Sequence, residues 1–176
     1  MQHKLTVQPL TAERFAPFGD VIEASGDPSY QINRGRCGRY HDLAQLEFEQ
    51  GRAGISLFRS EPYALPFMLE LVERHPLGSQ AFLPLSSEPY LVIVAADQDG
   101  VPGQPLVLLA SPGQGVNYHR GTWHAVLTPL HRSALFAVVD RIGDGNNLEE
   151  YWFDTPYRVE EVSSSSSSSV IANNAV

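Results

Sequence analysis

The sequence predicts a mainly β protein, an antiparallel β-sandwich or barrel with a few short helices. Short apolar runs recur through the middle of the chain: GISLFRS, PFMLELVERH, AFLPL, PYLVIVAAD, PLVLLAS, VNYH, WHAVLTPL and ALFAVVDR. Pro, Gly, Asp and Ser punctuate them at short spacing, as in sandwiches and barrels. Between two of the runs, DQDGVPGQ reads as a hairpin loop with Asp99-Gly100 as its turn signal.

The elements follow in order. KLTVQPL alternates as a strand does, and Thr11 caps a short helix, TAERFAPF, which Pro17 and Gly19 limit. DVIEA is a second strand. From Asp27 to Gly38 turn formers are dense, which predicts a loop with short extended pieces. DLAQLEFEQG is a further helix candidate, ended by Gly51, before the strand-rich middle begins. The end, SSSSSSSVIANNAV, is low in complexity and buries no core. The expectation is one domain over residues 1–162 and a mobile serine-rich tail over residues 163–176.

Composition narrows the function. At 176 residues and 43% hydrophobic, the chain suits one domain with a sizeable core. A formal net charge of -8 argues against a nucleic-acid footprint, which needs a basic surface. Lys4 is the one lysine; the other basic residues are arginines, whose forks suit carboxylates. With Cys37 as the one cysteine, neither a disulfide within the chain nor a thiolate metal cluster can form. MQHKLTVQPL lacks the apolar core of a signal peptide, and no window is apolar for the roughly 20 residues of a membrane helix. A cytoplasmic, soluble protein is expected.

Two polar clusters interrupt the apolar pattern. Side chains alternate along a strand, so Phe67, Leu69, Leu71, Glu73 and His75 share one face of PFMLELVERH. If that face lines a barrel, Glu73 and His75 point into one mouth, where a lone carboxylate needs a partner. Alternatively the strand stops before Glu73, and both residues are exposed at a turn led by Pro76 and Gly78. The second cluster is GQGVNYHRGTWHAV, with His119 and His124 on either side of a turn at Arg120-Gly121. Asp140 shares a face with Phe136 and Val138, where it either orients a histidine or simply begins a hairpin.

Together the clusters resemble the cupin superfamily. Its first motif, His-x-His with a Glu five residues on, is matched by Glu73-Arg74-His75 and Gln80. Its second, Pro-x-Gly-x-x-His, is matched by Gly121-Thr122-Trp123-His124, with Arg120 departing from it. The resemblance implies a jelly-roll, or double-stranded β-helix, with the site inside one mouth. GRYHDL, ERHPLGSQAF and QGVNYHRGTWH, with FAPFGDVIE and VVDRIG, resemble the ureidoglycolate lyase (ureidoglycolate hydrolase) family more closely, over roughly residues 5 to 160.

That resemblance implies a carbon-nitrogen lyase that releases urea from ureidoglycolate and leaves glyoxylate, in allantoin (purine) breakdown. It also implies a homodimer and a divalent ion, nickel among the candidates, with no organic cofactor. The alternatives are hydrolysis of the same substrate to ammonia, carbon dioxide and glyoxylate, or a non-catalytic small-acid-binding cupin. For the elimination, His119 and His124 are the candidate base and acid, in either order. Arg39 is the candidate carboxylate clamp, ordered by Tyr40, His41 and Asp42; Gln80 and Tyr118 complete the substrate-binding set. Glu73, His75 and His124 are the candidate ion ligands, while the amide of Gln80 is a poor ligand for nickel or iron. Nothing in the pattern suggests nucleic-acid or membrane partners.

Overall fold

The run PYLVIVAAD shows how the fold is built. Its residues Tyr90–Ala95 are all buried, so the strand is covered on both faces. Tyr90, Val92 and Val94 join one apolar cluster with Phe82, Val116, Tyr118, Phe136 and Val138. Leu91, Ile93 and Ala95 join a second with Val72, Trp123, Ala125 and Val159. Two-residue periodicity thus separates the interior of the barrel from a layer outside it.

The computed structural model describes residues 3–160. The serine-rich segment 163–176 lies outside the described residues. In chain order the elements are β1 (Lys4–Leu5), β2 (Val7–Pro9), α1 (Ala12–Phe15), β3 (Gly19–Ile22), β4 (Tyr30–Ile32), β5 (Cys37–Arg39), β6 (Arg52–Ser60), β7 (Phe67–Arg74), β8 (Gln80–Pro84) and β9 (Tyr90–Ala95). There follow β10 (Asp97–Gln98), β11 (Val101–Pro102), β12 (Leu106–Ala110), β13 (Gly115–Tyr118), β14 (Trp123–His124), β15 (Thr128–Pro129), β16 (Ala134–Ile142) and β17 (Glu149–Val159). An eight-stranded sheet runs β1-β17-β7-β14-β9-β12-β2, with β15 on β9, and faces a five-stranded sheet, β3-β13-β8-β16-β6. The pairings are antiparallel except β1 with β17 and β12 with β2. This is the barrel-like, mainly β class expected, with α1 the one helix among the described residues.

Local signals account for several elements. Thr11 accepts a hydrogen bond from the Arg14 N–H at 3.2 Å and caps α1. Asp99 and Gly100 both take positive φ between β10 and β11, as a tight hairpin turn of mirror-image type demands. β17 is a strand the apolar pattern does not announce. Asp154 and Pro156 interrupt its alternation, and its register against β7 shifts between Trp152 and Tyr157.

The helix expected over DLAQLEFEQG does not form. Residues 42–51 run as an extended strap across the outer face of the five-stranded sheet. The Gln45 N–H donates to Asp20 Oδ2 at 3.1 Å, and the Glu47 N–H donates to Ser79 Oγ at 2.9 Å. Ser79 N–H returns a bond to Glu47 O at 2.8 Å, and Phe48 bridges Gly78. From below, the buried Arg141 guanidinium donates to Glu49 O at 2.5 Å and Gln50 O at 2.6 Å. These tertiary partners satisfy the backbone groups that a helix would have paired internally, which overrides a modest local propensity.

Candidate active site

A cavity of about 420 Å³ opens at one end of the barrel, and Glu73, Gln80, Phe82, Tyr118 and His124 line it. β7 does continue through Glu73, so of the two sequence readings the inward-facing one is the one the fold adopts. Pairing across strands sets the constellation. His124 on β14 stands directly opposite Glu73 on β7, and Gln80 on β8 stands opposite Tyr118 on β13. A short turn at Gly121, with φ 78°, joins the β13 and β14 sides, and its N–H donates to His75 O at 3.0 Å.

The imidazoles are fixed in one tautomer by backbone carbonyls, which can only accept. His75 Nδ1–H donates to Asn147 O at 2.7 Å, and His124 Nδ1–H to Ala125 O at 3.1 Å. In the neutral rings both Nε2 atoms carry lone pairs. Both are buried without a hydrogen-bond partner among the described residues, as is Gln80 Oε1. His75 Nε2 lies 4.0 Å from Glu73 Oε1, and the two imidazole centroids are 5.3 Å apart. Tyr118 stacks on His124 at 4.2 Å with its ring tilted only 8°, which holds the imidazole plane.

Burial sets the ionisation of this group. It lowers His124 to about 3, with the neighbouring His75 adding to the effect, so the ring is neutral near pH 7. It raises Glu73 above the ordinary glutamate value; His75 opposes that rise and Glu150 adds to it. It also pushes the Tyr118 phenol well above its usual range, with the Glu73 charge adding, so the hydroxyl remains a donor.

One ligand atom from each of Glu73, His75 and His124 falls within 4.8 Å of the other two. Two buried imidazole lone pairs and a carboxylate converging in this way fit a divalent cation. The carbonyl contacts on both Nδ1 atoms are the outer support that metal-ligating histidines usually have.

Other sequence candidates lie elsewhere. His119 stands outside the cavity, largely exposed, with its Nε2 3.2 Å from Asp20 Oδ2. Arg39, Tyr40 and His41 sit in and beside the β4–β5 hairpin, and none lines the cavity. Tyr40 Oη donates to Gly26 O at 2.9 Å, the His41 N–H donates to Ser29 Oγ at 3.1 Å, and Arg39 lies over the Tyr30 ring. Asp140 faces the interior as its alternation predicted, but among the described residues its Oδ1 has no partner and it orients no histidine.

Asn117 is a residue the sequence reading missed. Fully buried on the face of β13 opposite Tyr118, it donates through Nδ2 to Asp20 Oδ2 at 3.0 Å and Gln45 O at 2.9 Å. The signal was present, since an amide between Val116 and Tyr118 breaks the apolar run only if the outer face is covered. Partial burial raises Asp20, but the bonds from Asn117 and Gln45 and the nearby His119 outweigh it and leave the carboxyl below its usual value. Asp20→Ala is therefore expected to cost about 1–3 kcal/mol, by freeing the strap and stranding the Asn117 amide. Because the folded pKa is lowered, that contribution is present above the unfolded value near pH 3.8 and is lost as pH falls through the folded one. Urea melts of both proteins at pH 7 and pH 3 check this: the gap closes in acid.

Comparison with known proteins places these features in a family. A family model described as ureidoglycolate lyase matches residues 2–160. A ureidoglycolate lyase of Rhodobacter capsulatus is 58% identical over 158 residues, 89% of this chain and 98% of that one. One from a Chelativorans species is 54% identical over 89% of this chain and 96% of its own. A protein named ureidoglycolate lyase 2, from Rhizobium meliloti, is 52% identical over 89% of this chain and 97% of its own.

Proposed function

The chain belongs to the ureidoglycolate lyase family, and on that premise we propose that it cleaves ureidoglycolate to urea and glyoxylate. The observation that carries the reading is the group of Glu73, His75 and His124, whose ligand atoms converge at a cavity sized for a small acid that Glu73, His124 and Gln80 line.

The reaction needs no redox partner and no water. A proton leaves the hydroxyl, the carbonyl of glyoxylate forms, the carbon–nitrogen bond breaks, and a proton reaches the departing urea nitrogen. Glu73, its pKa raised by burial, is suited to take the first proton and return it to nitrogen, since a carboxyl nearer the working pH both accepts and donates readily. Gln80 offers an acceptor and a donor to the ureido group, and the Tyr118 hydroxyl offers a further donor. His124, neutral at working pH, presents its one free lone pair, on Nε2, and is not a source of protons; that lone pair is the one an ion would take.

Glu73, His75 and His124 would hold a divalent ion, and such an ion supplies a Lewis acid that lowers the pKa of a bound hydroxyl. Glu73 would then serve both as a ligand and as the proton carrier. The reading also includes a cytoplasmic homodimer acting in allantoin breakdown. The exposed Ile55 and Leu57 on the edge strand β6 favour self-association.

Assay of the nitrogen product tests the reaction. Urea and glyoxylate in equal amounts, reduced by exhaustive chelation and restored by a divalent cation, are expected. Ammonia without urea would make the enzyme a hydrolase of the same substrate, and no turnover with tight binding would make the chain a small-acid-binding protein.

A further inference from the structure

The segment from residue 24 to residue 41 has no evident reason to be ordered within its own barrel. Its two strands, β4 and β5, pair with each other alone and are exposed at every position. Every hydrogen bond and ring contact of residues 24–41 with the described residues runs to another residue of the same segment. A lone two-stranded hairpin is marginal in water. Yet this one carries Tyr30 and Ile32, 43% and 37% exposed, on its surface.

The cavity has the complementary gap. The ligand proposed for it is a carboxylate, and Arg59 is the one cation among its lining residues. On β6, however, Arg59 alternates away from Phe58 and Ser60, whose side chains reach the barrel interior and the Leu127 carbonyl. Its place is on the outer face beside Leu57 and Ile55, 66% and 79% exposed. That face lies on the free edge of the five-stranded sheet, at the cavity wall.

Net charge favours the approach of the arm to a second copy. Residues 24–41 contain Arg34, Arg36 and Arg39 against Asp27 alone, whereas the whole chain has a net charge of -8. β6 itself carries Arg52 and Arg59 and no carboxylate, so the match at the edge is apolar, Tyr30 and Ile32 against Ile55 and Leu57, while the acidic charge of a second copy as a whole draws the basic arm towards it.

We propose that the 24–41 arm of one copy docks along the β6 edge of a second and delivers Arg39 to the mouth of that copy's cavity as its carboxylate clamp. The site is then complete only in the dimer. This rests on the proposed reaction for its carboxylate, but the docking itself does not.

The test is complementation. Chains with Arg39→Ala and with His124→Gln are co-expressed under two different tags, and the heterodimer is captured through both. Each variant homodimer should lose at least about tenfold in kcat/KM for urea release, Arg39→Ala mostly through KM. The heterodimer holds one site with both residues intact, and should recover about half of the wild-type rate. Glu73→Gln replaces His124→Gln if that variant does not fold. A heterodimer no more active than its parents, or an unimpaired Arg39→Ala homodimer, overturns the proposal.

If the wild type releases no urea, the reaction is wrong and docking is judged alone, by trypsin cleavage at Arg34 and Arg36. Those bonds should resist in the wild type and be cut quickly when Ile55→Asp and Leu57→Asp separate the copies. Equal cleavage in both proteins, or a wild type that sediments as a monomer, overturns it.

Discussion

His124→Gln is expected to lower kcat/KM for urea release by about 10³-fold while leaving a folded protein, through loss of the Nε2 lone pair that would hold the ion in the cavity. The ring is 2% exposed, stacked on Tyr118 and tied to Ala125 O, so its Nε2 is held in one place. Glutamine fills much of the imidazole volume; alanine would leave a hole beside Tyr118 and cost a further 2–4 kcal/mol or so.

The same substitution has a signature in pH. The folded value of His124 is about 3 against 6.5 in the open chain. Between those values the unfolded chain binds the proton and the folded ion-free protein does not. Stability therefore falls as pH is lowered through that window, by up to about 1.4 kcal/mol per pH unit for one group. Chemical melts of the chelated protein from pH 7 to pH 4 should show the slope in the wild type and a flatter line in His124→Gln. A parallel pair of lines would mean that His124 is charged in the folded state.

Glu73→Gln is expected to lower kcat by about 10²–10⁴-fold and to weaken divalent-ion binding at the same time, because one carboxylate serves both tasks. Isothermal titration of the chelated protein with nickel or manganese reads the second effect without any turnover. In the chelated wild type this carboxyl should titrate above the ordinary glutamate range, since burial raises it. Its protonated form is favoured by folding, so its contribution to stability is greatest at low pH and is lost as pH rises through the folded value. Ion binding unchanged in Glu73→Gln, with activity lost, would separate the proton carrier from the ligand.

How far the sequence reaches differs between the barrel and its site. PYLVIVAAD could be read as a strand from its run alone, but not that alternate residues enter two separate cores. DLAQLEFEQG has a helical look because its local propensities are mild; the carboxylate of Asp20 and the hydroxyl of Ser79, far away in the chain, decide otherwise. β17 went unread because Asp154 and Pro156 break its pattern at a bulge that only β7 explains. The histidines show the same limit. His119 and His124 look equivalent five residues apart, yet the turn at Gly121 leaves one at the surface and buries the other.

By itself the sequence determined the class of fold, the hairpin at Asp99-Gly100, the α1 cap at Thr11 and the family, because alternation, turn chemistry and motif spacing are local or ordered along the chain. Tertiary structure alone decided which polar side chains come together. Glu73, His75 and His124 meet because β7 and β14 pair in one register, and a shift of one residue would turn Glu73 outward. It also decided where Arg39 goes: onto the β4–β5 arm, whose hydrogen bonds and ring contacts among the described residues stay within the arm, since the partners that order a side chain are set by neighbours in space.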